Sequence, residues 1–143
     1  MNPAHDALNP SNKNFVLFVA HEDSVALADS LASKGYLRFC FDGADIPSKD
    51  ALLGHFAQEL GFPDYFGYNW DALEECLRDL QWLPANGYIL QLANADQYIE
   101  RCLSDFETLI EIMETVSKHW GRAGVDFFFL VETNQPGLGA RRA

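Results

Sequence analysis

The run VDFFFLVE, residues 125–132, decides how this chain folds. Apart from Asp126 and the closing Glu132 it is apolar at every position, so neither strict alternation nor helical spacing describes it. A short, continuous apolar run of this kind is what a strand covered on both faces requires, and such strands belong to parallel sheets. Working back along the chain, GYILQLA (87–93), YLRFCF (36–41) and FVLFVA (15–20) are shorter runs of the same character.

The segments between these strands change period. In HEDSVALADSLASKG, Val25, Ala28, Leu31 and Ala32 fall on one helical face and Gly35 supplies a stop. In PSKDALLGHFAQELG, Ser48 is placed to cap a helix whose stripe is Leu52, Leu53, Phe56 and Leu60, ended by Gly61. Asp96 to Arg101 reads as a short helical turn. Ser104 and Glu107 have the spacing of a capping box before the periodic set Phe106, Leu109, Ile110, Met113, Val116 and Trp120. Lys118 and His119 suit the negative end of that helix. Helices alternating with near-continuous apolar strands imply an α/β fold, a small parallel sheet flanked by helices and joined by right-handed crossovers. The expected organisation is an N-terminal tail over 1–14, one domain over 15–132 and a C-terminal tail over 133–143.

The 143 residues suit a single domain, and 48% are apolar, an ordinary globular composition. Ten basic residues against twenty-one acidic ones leave a formal charge of −11. That balance argues against direct contact with nucleic acid or anionic membranes and favours a basic partner. No apolar run approaches the ~18 residues that span a bilayer, and MNPAHDALNPSNKN has no apolar core of a secretory signal. Cys40, Cys76 and Cys102 stand singly in apolar patterns, which reads as reduced core thiols in the cytoplasm. No metal or cofactor is implied.

The most unusual stretch is GFPDYFGYNWDALEECLRDL, residues 61–80. Phe62, Pro63, Tyr65, Phe66 and Tyr68 crowd a loop in which Gly67 is expected to supply a turn that other residues resist. Some of these aromatics are expected to staple the loop to the core. Asn69 is placed to cap a helix starting at Trp70, with Ala72, Leu73, Cys76, Leu77 and Leu80 as its buried stripe. Asp71, Glu75 and Asp79 recur every four residues, a row of carboxylates about 6 Å apart. Glu74 flanks the row, and Arg78 can pair with Glu74 or Glu75. Like charges at this spacing cost about 0.2–0.5 kcal/mol per pair. A solvated helix face accounts for such a row as well as a binding surface does. The aromatics beside it tilt the reading toward an interface that combines anchors with charge.

FPDYFGYNWDALEECL resembles the signature of the barstar family, small intracellular inhibitors of secreted bacterial ribonucleases, and the likeness runs from about Leu37 to Glu132. The resemblance implies a three-layer fold around a small parallel sheet of three to four strands. It also implies that the unit over 15–35 adds a fourth strand at an edge. In that family the loop and the helix after it plug the ribonuclease active site with carboxylates in the places of RNA phosphates. Carried over by motif position, the partner-binding residues are Tyr65, Gly67, Asn69, Trp70, Asp71, Glu74 and Glu75, with Asp79 as an additional acid where the best-known member has glycine. Glu75 replaces that member's aspartate and Glu74 its tryptophan.

The resemblance implies a non-enzymatic inhibitor acting in the cytoplasm on a basic secreted ribonuclease or related toxin. Two other readings stand beside it. One is a non-inhibitory acidic module for another basic protein. The other is an enzyme using Asp71 and Glu75 as a carboxylate pair, against which His5, His21, His55 and His119 are dispersed and no glycine-rich phosphate loop lies near.

Overall fold

The computed structural model describes residues 16–134. Four strands form one sheet: β1 (Val16–Val19), β2 (Leu37–Asp42), β3 (Gly87–Ala93) and β4 (Asp126–Glu132). Five helices accompany them: α1 (His21–Ala32), α2 (Lys49–Leu60), α3 (Trp70–Asp79), α4 (Ala95–Arg101) and α5 (Leu103–Arg122). The strand order is β1-β4-β3-β2 and every pairing is parallel. As anticipated, β1 adds an edge strand beside β4.

Two helical layers cover the sheet. Phe127, Phe129 and Val131 point to one face with Leu90 and Leu92, where residues of α2, α3 and α5 complete the larger core. Phe128, Leu130 and Ile89 point to the other, where Leu27, Ala28 and Leu31 of α1 cover them. Both faces of β3 and β4 are thus buried, whereas exposure alternates along β2, contrary to the doubly covered strand that its apolar run implies. On β2, Arg38 reaches Asp29 of α1 at 2.8 Å, yet Arg38, Cys40 and Asp42 remain exposed. Cys40 is therefore no core thiol. Cys76 alone of the three free cysteines is buried, and Cys102 is half-buried.

The ends of α2 follow its local sequence, whereas those of α1 and α5 answer to distant contacts. Ser48 Oγ accepts the Ala51 amide, and Gly61 ends α2 in the left-handed region at φ 62°. The face of α1 that is buried is Ser24, Leu27, Ala28 and Leu31, leaving Val25 and Ala32 half-buried, because a polar network draws Ser24 inward. No capping box forms at Ser104. Helix α5 starts two residues earlier than a Ser104 cap implies, directly after α4, with Cys102 at its N-cap and no side-chain cap.

That polar network ties α1 to the sheet through Glu132, only 6% exposed. Its carboxylate accepts Ser24 Oγ–H at 2.8 Å and meets His21 Nδ1 at 2.6 Å. Gln91 Nε2 donates to Ser24 Oγ at 2.9 Å, and Gln91 Oε1 accepts Arg38 Nε–H at 2.6 Å. Thr133, assigned to the C-terminal tail from sequence, is buried, its amide bonded to the Val19 carbonyl at 2.9 Å and its hydroxyl to Asp96. The N-terminal segment 1–14 lies outside the described residues.

Removing this carboxylate leaves the buried Ser24 hydroxyl without its acceptor and takes one of two acceptors from Gln91 Nε2. Glu132→Ala is expected to lower unfolding free energy by roughly 2–4 kcal/mol in urea titrations, with α1 amides losing hydrogen-exchange protection first. The His21 pKa is raised by its hydrogen bond to Glu132 and then by that residue's charge. The folded state thus holds this proton more tightly than the unfolded chain. The pair's contribution is complete below about pH 6.5 and fades as pH rises through the raised value. The urea midpoint is expected to fall across that window in the parent protein, and His21→Gln is expected to remove this part of the pH dependence.

Candidate functional site

The loop before α3 is held at both ends. Phe62 N–H donates to the Ala57 carbonyl at 2.9 Å, and Phe66 N–H donates to that of Pro63 at 3.0 Å, closing a turn. Phe66 is buried and meets Phe62 edge-to-face at 4.9 Å and a tilted Tyr68 ring at 4.7 Å, while Phe62 packs edge-on against Trp82. Phe62 and Phe66 are the staple. Tyr65 and Tyr68 remain outside, 72% and 57% exposed.

Gly67 does not supply the left-handed turn. That conformation falls one residue later, on Tyr68 at φ 50°. The space around Gly67 gives a different reason for glycine, since a Cβ there would approach Asn69 Nδ2 to 3.2 Å. Asn69 Nδ2 donates to the Gly67 carbonyl at 3.3 Å, and Asn69 Oδ1 accepts the Ala72 amide at 2.8 Å. The asparagine thus stitches loop to helix and caps α3, as its position predicts.

Helix α3 buries Leu73, Cys76 and Leu77, and Leu80 follows as a left-handed C-cap at φ 45°. Ala72 is only half-buried. Trp120 Nε1 of α5 donates to the Leu77 carbonyl at 2.8 Å, which fixes the end of α3 against α5. With this face locked inward, the acids point outward. Asp71 and Glu75 are exposed, and Glu74 and Asp79 are half-buried. Trp70 is half-buried against the core, with Lys49 Nζ 5.2 Å from its ring centroid.

Arg78 chooses Glu74, Nη1 to Oε2 at 3.4 Å, so among the described residues Glu75 and Asp79 have no ion-pair partner. Glu75 and Asp79 share a groove of about 460 Å³ with Tyr65, Cys76, Arg78 and His119. Partial desolvation, followed by the charge of Asp79, the Cys76 sulfur and the charge of Glu75, pushes the Tyr65 phenol upward. Burial, then Asp79 and Glu75, does the same to the Cys76 thiol. Both groups stay neutral and can donate hydrogen bonds, while the carboxylates can only accept.

The structure thus brings Tyr65, Glu75 and Asp79 onto one groove. It makes Gly67 and Asn69 the framework, pairs Glu74 with Arg78, and leaves Trp70 and Asp71 at the start of the same helix. His119 was legible only as a helix-end residue. Its place in the groove depends on α3 packing against α5, for which the sequence carries no local signal. Among the described residues no group of three or more His, Cys, Asp or Glu side chains is arranged to hold a metal ion. No helix there is long and apolar enough to cross a membrane.

Comparison with known proteins places this architecture. The family described as Barstar (barnase inhibitor) matches residues 36–132, well over half the chain. The chain belongs to the barstar family, which is a family of non-enzymatic inhibitors. No curated protein matches the chain. Among solved structures it is similar to the Aeropyrum pernix ORC2 protein in ADPNP-ADP complexes, at TM-score 0.60 and 15% identity, covering 97% of this chain and 41% of that one. The ADP form of the same protein matches at TM-score 0.60 and 15% identity, over 96% and 40%. At that identity the likeness concerns the fold alone, and this chain spans about two fifths of the ORC2 length.

Asn69 is the test of the framework. Asn69→Ala is expected to cost about 1 kcal/mol in chemical denaturation, the usual worth of an N-cap, and to raise hydrogen exchange at Ala72.

Proposed function

We propose that this chain inhibits a basic ribonuclease by inserting the 65–69 loop and the outward face of α3 into the enzyme's phosphate-binding cleft. One observation carries the reading. An exposed tyrosine and two carboxylates that have no ion-pair partner among the described residues meet in one groove, on the segment that the family match covers. Tyr65 anchors, Gly67 and Asn69 hold the loop, and Trp70 sets the entry of the helix. Asp71, Glu74, Glu75 and Asp79 stand in for RNA phosphates. The formal charge of −11 adds long-range attraction to a basic enzyme. Such an inhibitor protects the cell that makes the enzyme, so the proposal includes action in the cytoplasm before secretion.

A second reading, an acidic module for a basic protein that is not a nuclease, draws on the Glu74–Arg78 pair. That pair withdraws one acid from the surface offered to a partner.

The deciding measurement is inhibition of a panel of basic bacterial ribonucleases at low and high salt. Inhibition is expected, weakening with salt, and the Asp71→Ala, Glu75→Ala double variant is expected to lose on the order of 100-fold in inhibition constant while keeping its fold by circular dichroism. Inhibition unchanged in the double variant would overturn the plug. A folded protein that inhibits no panel member would favour the second reading.

A further inference from the structure

The carboxyl ends of β1, β4 and β3 open onto a second pocket, of about 210 Å³, which shares no residue with the groove on α3. Its place follows from the topology. Strand β1 leads into α1 on one face of the sheet, β3 leads into α4 and α5 on the other, and β4 lies between them. Connections that leave to opposite faces part above the strand between them, and in parallel sheets that crevice is where ligands are held. The floor here is polar, made by Glu132 and Thr133, 6% and 3% exposed, with Asp96 beside them. Among the described residues Glu132 Oε1 meets only His21, while the two Asp96 oxygens accept the Thr133 hydroxyl and the Asn134 amide, one each. Each of these three oxygens therefore keeps a lone pair. The side-chain amides of Gln97 and Asn134 stand on the rim, exposed and without a hydrogen-bond partner among the described residues.

We propose that this pocket binds a small uncharged polyol, of pentose or hexose size, through its hydroxyl groups. An anion such as phosphate meets two carboxylates here and two more acids, Glu22 and Asp23, in the first turn of α1. Among the described residues no lysine or arginine lines the pocket to offset them. A cation gains little, because His21, held on Glu132, already supplies one when protonated. A hydroxyl suits both kinds of group. It donates to a carboxylate in a charge-assisted bond and accepts from an amide or imidazole N–H. Neighbouring hydroxyls on one sugar ring can thus engage Asp96 or Glu132 together with Gln97 or Asn134. No aromatic side chain among the described residues lines the pocket, so a nucleobase has no ring to stack on. The volume also falls below the ~300–1,000 Å³ of pockets that hold larger ligands.

The test is ¹H–¹⁵N NMR titration of the intact protein with D-ribose and with D-glucose, inorganic phosphate and methylammonium serving as anionic and cationic controls. At least one sugar is expected to shift the amides of His21, Asn94 to Gln97 and Glu132 to Asn134 as one group, with millimolar affinity, while those of Tyr65 and Asp79 stay in place. The two controls are expected to leave that group unshifted. Gln97→Leu, a change on the exposed rim, is expected to weaken the sugar response by roughly three- to ten-fold, the worth of one hydrogen bond. Asp96→Asn is an independent second variant, and a dispersed spectrum shows that each is folded. The proposal fails if neither sugar shifts these amides, if phosphate or methylammonium matches the sugars, if the shifts scatter over the surface, or if both variants bind as the parent does. Ribonuclease inhibition does not enter the test, because the pocket shares no residue with the surface proposed to face the enzyme.

Discussion

Burial of β4 on both faces is the constraint on which the rest of the structure depends. Phe127 to Glu132 are buried without a break, so the strand needs a helical layer above and below it and a paired strand on each side. The helices of the family-matched region supply one layer. Among the described residues the other is formed by α1, and it is completed by a polar contact rather than an apolar one. Glu132 ends the strand inside the protein, and Ser24, Gln91 and His21 make its burial tolerable. A buried carboxylate without such donors would cost several kcal/mol. The same contact therefore closes the sheet and selects how α1 lies on it.

The candidate site inherits its geometry from this core. Because Leu73, Cys76 and Leu77 are locked inward, the orientation of the carboxylates is decided by packing and not by their own interactions. Non-glycine residues in the left-handed region, Tyr68 and Leu80, stand at the two ends of α3. Such conformations persist only where the surroundings enforce them. Here the enforcing contacts are the Phe66 staple and Asn69 cap before the helix, and the Trp120 bond near its end. The result is a short helix held at its boundaries with its acidic face turned outward, which limits the ordering cost of binding.

Sequence reasoning recovered the order of strands and helices because apolar runs and stripes are local records of burial. It located the Ser48 and Asn69 caps because a cap is a contact three residues long. It erred where a long-range contact intervened. The Ser104 capping box lost to a helix that begins directly after α4, and the α1 face rotated toward Ser24 because Glu132, more than a hundred residues away, accepts a hydrogen bond from its hydroxyl. The turn assigned to Gly67 moved to Tyr68 because the glycine was needed instead for the approach of the Asn69 side chain.

By itself, then, the sequence determined the α/β class, the parallel sheet, the family and the acidic row on α3, all of which follow from period, composition and motif. Only the tertiary structure decided the strand order, the covering of the second face by α1, the choice of Glu74 over Glu75 as partner of Arg78, and the meeting of Tyr65, Glu75, Asp79 and His119. Those four outcomes depend on side chains brought together from separate elements. Periodicity states which face of an element is buried, but it carries no information about which other face lies opposite.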